Sequence, residues 1–287
     1  MFPEQSILGG APFNVARHLQ VFGLHPLLIS RTGSDVLADA LLQEMAHLTM
    51  DVSGIQRDVE HPTGQVQVIF ENGDHRFDIL PDQAYDHINA ATTHQTMMTN
   101  QPQLAYFGTL ALRSEESHRA ATQFLQDCTC PIFLDINLRA PWHDEATITF
   151  ALTAADIVKL NDEELQVVAG LFGLAGLSVE AQAIEVQKRF ALQQVLVTCG
   201  ATGCWLVDEQ QRIVQAAPIK TRQSVIDTVG AGDAFAAVFM LGMLRSWDTP
   251  TTLQRASAYA AAMCAVRGAA PPSDDFFQQF NRAWNSG

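Results

Sequence analysis

Short apolar runs alternate with amphipathic segments along most of this chain. Residues 27–30, which follow Pro26, read as a buried strand. Residues 104–107, 131–136, 156–160 and 195–199 read the same way. These four are continuous apolar runs rather than alternating ones, the pattern of a parallel sheet covered on both faces. Helical spacing is expected over residues 35–48, 114–128, 144–154, 161–170 and 178–190. In the first of these, Val36, Leu37, Ala40, Leu41, Met45 and Leu48 fall at helical intervals and Asp35 stands where a cap belongs. Three further helices are predicted over residues 231–245, 251–267 and 273–284. The period changes at residues 64–80, which read as a β-hairpin turning at Asn72-Gly73. Residues 202–207 and 212–216 suggest a second hairpin. No repeat, linker or low-complexity stretch interrupts the pattern. The expected architecture is one α/β domain over residues 1–287, three layers with a mostly parallel central sheet, right-handed crossovers and a small inserted β flap.

Composition narrows the function. The chain has 287 residues, 47% of them hydrophobic, which is ample for a core and excludes a disordered chain. A formal net charge of −14 argues against nucleic acid or an anionic membrane surface as partner. Lys159, Lys188 and Lys220 are the three lysines, so a bound phosphate would draw little attraction from lysine side chains. Five cysteines (Cys128, Cys130, Cys199, Cys204 and Cys264) make no disulfide framework and read as free thiols of a reducing compartment. Met1-Phe-Pro-Glu-Gln has no basic leader region and no apolar run is long enough to span a bilayer, so a cytoplasmic, soluble protein with no membrane partner is expected.

The candidate chemistry centres on Asp227-Thr-Val-Gly-Ala-Gly-Asp-Ala-Phe235. Gly230 and Gly232 flank Ala231 immediately before an apolar helical run. Glycines allow positive φ, so the amides of residues 230–233 can converge at the positive end of the helix dipole. That makes an anion hole with Asp233 inside it, although an acidic residue at a helix start is also an ordinary cap. No G-x-x-x-x-G-K-[ST] loop occurs, and residues 230–235 lack the third glycine of a dinucleotide fingerprint, which disfavours an NAD-dependent oxidoreductase. There is no G-x-S-x-G elbow, and the nine histidines, all at or before His143, include no H-E-x-x-H.

Asp227-Thr-Val-Gly-Ala-Gly-Asp233 resembles the C-terminal signature of the ribokinase-like, PfkB-type carbohydrate kinases. Four other segments resemble motifs of that family in the same order: Gly9-Gly-Ala-Pro-Phe-Asn-Val-Ala16, Asp135-Ile-Asn-Leu-Arg139, Asn161-Asp-Glu-Glu164 and Val197-Thr-Cys-Gly-Ala-Thr-Gly203. The first two look most like the fructokinase branch. The resemblance implies a ribokinase-like fold and ATP-dependent phosphorylation of a primary hydroxyl on a ketohexose, fructose to fructose 6-phosphate. It gives Asp233 the role of catalytic base, with the amides of Gly230, Ala231 and Gly232 stabilising the transferring phosphoryl group. Gly9, Gly10, Asn14, Asn137 and Arg139 would bind the sugar. Asn161, Thr198, Gly200, Gly203, Gly230 and Gly232 would border the nucleotide. Glu164 would help hold Mg²⁺ through water, and Asp227, near Arg267-Gly-Ala269, a monovalent cation such as K⁺. The hairpin at residues 64–80 would be the lid, and lids of this kind pair across a homodimer.

The family's first strand and a G-E-x-x-x-D segment are expected ahead of the di-glycine motif, and here Gly9 follows eight residues. The sheet should then lack an interior strand and the sugar site a carboxylate. Alternatives remain open: Arg139 suits the carboxylate of a 2-keto-3-deoxygluconate-type substrate, Arg139 in a salt bridge or Asn161 as a simple cap would be structural, and a truncated, catalytically impaired sugar- or nucleotide-binding relative fits the departure at the N-terminus.

Overall fold

The computed structural model describes residues 8–71, 74–219, 224–270 and 274–285. In chain order these form α1 (Ala11–Val21), β1 (Ser30–Thr32), α2 (Val36–His47), β2 (Ile55–Arg57), β3 (Val66–Glu71), β4 (Asp74–Ile79), α3 (Ala90–Thr99), β5 (Ala105–Gly108), α4 (Glu115–Asp127), β6 (Ile132–Asp135), α5 (Glu145–Ala154), β7 (Ile157–Asn161), α6 (Asp162–Leu171), α7 (Val179–Phe190), β8 (Gln194–Thr198), β9 (Cys204–Val207), β10 (Ile213–Ala216), α8 (Ala231–Leu244), α9 (Thr249–Met263) and α10 (Asp274–Asn285). The chain divides into two compact units, each threaded more than once.

The first unit comprises Met1–Pro26, Pro102–Leu110 and Thr129–Gly287. Its six-stranded sheet runs β10-β9-β8-β7-β6-β5. Strands β5 to β8 are parallel, and β9 and β10 add an antiparallel hairpin at the far end. Local chemistry starts the helices: the side chains of Asp144, Asn161, Ser178 and Asp248 each accept from the amide three residues on. Helix α8 is apolar around its circumference and is buried from Ala234 to Gly242. It packs against α1 and α9, and Phe22, Phe133, Phe239, Tyr259 and Phe277 fill the core around it. Tyr259 is fully buried and its hydroxyl meets His18 Nδ1 at 2.9 Å, so its polar atom is satisfied inside the core.

The second unit comprises Leu27–Gln101 and Ala111–Cys128. Strand β1 pairs with β2 in parallel, and β3 pairs with β4 in an antiparallel hairpin. Asp35 caps α2 through the Ala38 amide and also accepts from the Thr63 amide and hydroxyl. Arg113 is buried and makes two 2.6 Å bonds to Asp86. It also donates to the Leu80 carbonyl and the Tyr85 hydroxyl.

Most expected elements appear within one to three residues of their predicted ends. The flap is the β3–β4 hairpin, and its expected Asn72-Gly73 turn lies outside the described residues. Three differences are informative. The strand expected at residues 27–30 contributes a single bridge from Leu27 to Asp51, and regular pairing begins at Ser30. Its partner β2 is Ile55-Gln-Arg57, too polar and short to leave an apolar run. Helix α3 is rich in threonine and has little contrast between its faces. Helix α1 is not among the expected helices, and it buries the polar Asn14 and His18 together with Phe13, Val15 and Ala16. No disulfide joins any of the five cysteines. Among the described residues no helix is long and apolar enough to cross a membrane.

Candidate active site

The parallel strands of the first unit set the site. Their register aligns Gly108 with Asp135 and Asn161 with Thr198. The C-terminal ends of β5 to β8 thus lie in a row, the edge at which open α/β sheets carry ligands. Helix α8 begins at Gly230, whose φ of +78° is the left-handed conformation that favours glycine. A Cβ there would lie 2.6 Å from Ala269 Cα, so the close approach of the two segments also requires glycine. Asp227 ties this loop down: its carboxylate accepts from the Val229 amide at 3.0 Å and the Gly268 amide at 2.9 Å.

The amides at the start of α8 divide their labour. Ala231 donates to the Thr228 carbonyl at 3.2 Å and closes the turn. Those of Gly230, Gly232 and Asp233 have no protein acceptor among the described residues. The anion-binding donors available here are therefore residues 230, 232 and 233, and the Ala231 amide expected among them is engaged.

Asp233 stands in the first turn of α8. Burial pushes its carboxyl up to about 6, against the opposing pull of the Asn14 hydrogen bond. Asp135 adds to the rise, while Lys159 and Arg139 oppose it. Asn14, buried in α1, donates from Nδ2 to Asp233 Oδ2 at 2.7 Å. Gly10 precedes α1 at a φ of +111°, and Gly9 is exposed.

Beneath Asp233 lies an ion pair that sequence reading missed. Lys159 on β7 donates to both carboxylate oxygens of Asp135 on β6, each at 2.9 Å, and both side chains are buried. Burial works against the Lys159 charge, but Asp135, Glu164 and Asp233 hold its pKa above the ordinary value. A lone lysine in the apolar run Ile157-Val-Lys-Leu-Asn161 was the available signal.

Asn161 and Glu164 meet each other in a reciprocal capping box. Asn161 Oδ1 accepts from the Glu164 amide at 2.7 Å, and Glu164 Oε2 from the Asn161 amide at 2.8 Å. Glu164 Oε1 accepts from the Leu138 amide at 2.9 Å. One carboxylate thus fastens the turn after β6 to the start of α6, and burial raises its pKa. Asn137 holds a φ of +40° in that turn. Arg139 is exposed and makes no ion pair among the described residues, though it lies close enough to Asp233 to lower that carboxyl. Thr198, Gly200 and Gly203 shape the tight turn after β8, in which the Cys199 amide donates to the Gly203 carbonyl at 2.8 Å.

Comparison with known proteins agrees with this arrangement. The pattern of the pfkB family of carbohydrate kinases matches residues 5–275. A fructokinase of Salmonella typhimurium is 28% identical over 299 residues, covering 95% of this chain and 91% of that one. The crystal structure of a Xylella fastidiosa fructokinase with bound ATP superposes with a TM-score of 0.84 at 20% identity, covering 96% of this chain and 91% of that chain. A ribokinase II candidate from Escherichia coli, solved with ATP and Mg²⁺, gives a TM-score of 0.82 at 19% identity over 99% of this chain and 93% of its own. At these identities the solved structures speak to fold, and the fold is ribokinase-like α/β.

Proposed function

Because the chain belongs to the PfkB family of carbohydrate kinases, phosphotransferases with an alcohol group as acceptor, we propose that it phosphorylates fructose at its primary hydroxyl with ATP as donor. The observation that carries the reading is Asp233, a carboxyl raised to about 6, held by Asn14 in the first turn of a glycine-led helix. A base with a pKa near the working pH suits proton removal from an alcohol. The hydroxyl proton passes to Asp233 as the oxygen attacks the γ-phosphorus, and the bond to the β-phosphate oxygen breaks to release ADP. Phosphoryl transfer asks chiefly for positioning and charge stabilisation. The unpartnered amides of Gly230, Gly232 and Asp233 supply stabilisation at the helix N-terminus.

Asn14 and Asp233 position the acceptor hydroxyl, with Gly9, Gly10, Asn137 and Arg139 around the sugar. Thr198, Gly200, Gly203 and Asn161 border the nucleotide at the ends of β7 and β8. Mg²⁺, seen with ATP in the Escherichia coli relative, would neutralise phosphate charge when bound. Both Glu164 oxygens already accept a backbone amide and keep a lone pair, which fits contact with the ion through water. Asp227 as a K⁺ site, the lid role of the β3–β4 hairpin, homodimer pairing through it and a cytoplasmic location belong to the same proposal.

Incubation with ATP, Mg²⁺ and fructose tests it: ADP should appear with the sugar and not without it. Turnover in Asp233→Asn equal to the parent overturns the mechanism, and no turnover with any sugar overturns the substrate class. Arg139, exposed and without an ion pair among the described residues, favours a second reading in which it binds the carboxylate of a 2-keto-3-deoxy sugar acid. The ratio of kcat/KM for the two substrates decides between them.

A further inference from the structure

The kinase reading gives Lys159 no task. This lysine lies in the middle of β7, in the run Ile157-Val-Lys-Leu-Asn161, and its side chain is 7% exposed. Well-packed apolar side chains often replace a buried ion pair with no loss of stability, because they avoid the cost of taking two charges out of water. Stability alone is therefore a poor reason for Lys159 and Asp135.

Their position supplies a better one. Lys159 Nζ donates to Asp135 Oδ1 and Oδ2, each at 2.9 Å. The same Nζ lies 3.6 Å from the point that a Cβ on Gly232 would occupy. The ammonium thus underlies the first turn of α8, against the residue whose amide is free and beside Asp233. Charged groups face Asp233 from several elements: Asp135 on β6, Lys159 on β7 and Arg139 in the turn after β6. Asn14 on α1 donates to it, and the Tyr106 phenol on β5 is held neutral by burial and by both aspartates. Glu164, at the start of α6, faces Lys159 in turn. Asp135 and Asp233 are two buried carboxylates that share one buried cation. Without that cation, an ionised Asp135 would favour a proton on Asp233, and a protonated Asp233 cannot accept one from an alcohol.

We propose that Lys159 is a positioning residue of the transfer, whose charge offsets that of Asp135 and so keeps Asp233 ionised at the pH where it serves as base. It acts through Asp233 rather than on sugar or phosphate. The base role of Asp233 rests on the kinase reading; the coupling of the three charges does not.

The test compares variants in which the Asp135 charge is already gone. Asp135→Asn keeps an acceptor for Lys159 Nζ, and Lys159→Met with Asp135→Leu leaves no buried charge, so both should fold. In the pH profile of kcat/KM with ATP and fructose, Asp135→Asn should move the acid limb down by about one unit, because Lys159 then acts on Asp233 unopposed. The double variant should bring the limb back up, close to the parent. A purely structural pair would change kcat or Tm and leave the limb in place. The proposal fails if the limb of the double variant stays with that of Asp135→Asn, or if all three proteins share one limb. Carboxyl ¹³C NMR of the free protein, with the Asp233 resonance assigned by its loss in Asp233→Asn, reads the same shifts without turnover. A parent that turns over no sugar would defeat the kinase reading, and the carboxyl titrations would still decide whether Lys159 sets the charge of Asp233.

Discussion

Asn14 Nδ2 donates to Asp233 Oδ2 at 2.7 Å across 219 positions of sequence. The bond joins the helix that follows the di-glycine segment to the first turn of α8. It also steadies the charged form of a carboxyl that burial otherwise disfavours. Removing the donor should therefore change the carboxyl's titration as well as its orientation. In Asn14→Ala the acidic limb of the kcat/KM profile should move to higher pH. An unmoved limb with a lower rate would assign Asn14 to sugar binding alone.

The activity of the parent should rise with pH through about 6, because Asp233 accepts a proton only when ionised. Asp233→Asn should lower kcat by about 10²- to 10⁴-fold, the range for loss of a general base. Stability should move the other way. A carboxyl whose folded pKa exceeds its unfolded value of 3.8 binds protons more tightly in the native state, so its contribution declines between pH 4 and about 6. Thermal scans at pH 7.5 should give Asp233→Asn a higher Tm than the parent.

Lys159 and Asp135 neutralise each other in a buried setting. Lys159→Met strands the Asp135 charge and should cost about 3–5 kcal/mol in urea unfolding. Lys159→Met combined with Asp135→Leu leaves no buried charge and should recover most of the loss. Equal stability in the single and double variants would show that Asp135 is relieved by protonation or solvent.

Gly230→Ala places a Cβ 2.6 Å from Ala269 Cα at a φ of +78°. The left-handed conformation should cost about 1–2 kcal/mol, and the overlap about 1–3 kcal/mol more. Both Tm and kcat should fall, since the loop that strains is the one that presents the free amides. Gly268→Ala also takes a left-handed residue, yet meets no atom within 4 Å, and should cost the conformational part alone.

Asp35 serves two segments of the second unit, capping α2 and accepting twice from Thr63. Asp35→Ala should cost about 1 kcal/mol for the cap and about 1–3 kcal/mol for the unsatisfied Thr63 groups. Burial works to raise the Asp35 carboxyl, but these bonds bring it below its ordinary 3.8. Its stabilisation is therefore complete above pH 4 and lost as the pH falls through the lower folded value. Circular dichroism should find parent and variant converging in acid.

Local order was legible along the chain to different degrees. Asp35, Ser114, Asp144, Asn161, Ser178 and Asp248 are caps whose partners lie three residues away, and helices follow each. Asn161 and Glu164 were read as neighbours on one helical turn, but their bonding to each other and to Leu138 was not, because it depends on where β6 ends. Strand β2 and helix α3 left no clear periodic signal, since β2 is three residues long and only partly buried, and α3 has little contrast between its faces.

The sequence by itself determined the alternation of strand and helix, the glycine-led start of α8 and the order of the family motifs, because periodicity, capping and turn chemistry act over a few residues. The tertiary structure decided which distant side chains meet: Asn14 with Asp233, Lys159 with Asp135, and His61 with Asp82 and His87. Those pairings depend on strand register, helix packing and burial, which no local pattern encodes. The same burial that brings Asp233 and Asn14 together raises the carboxyl toward the pH at which it can act as a base.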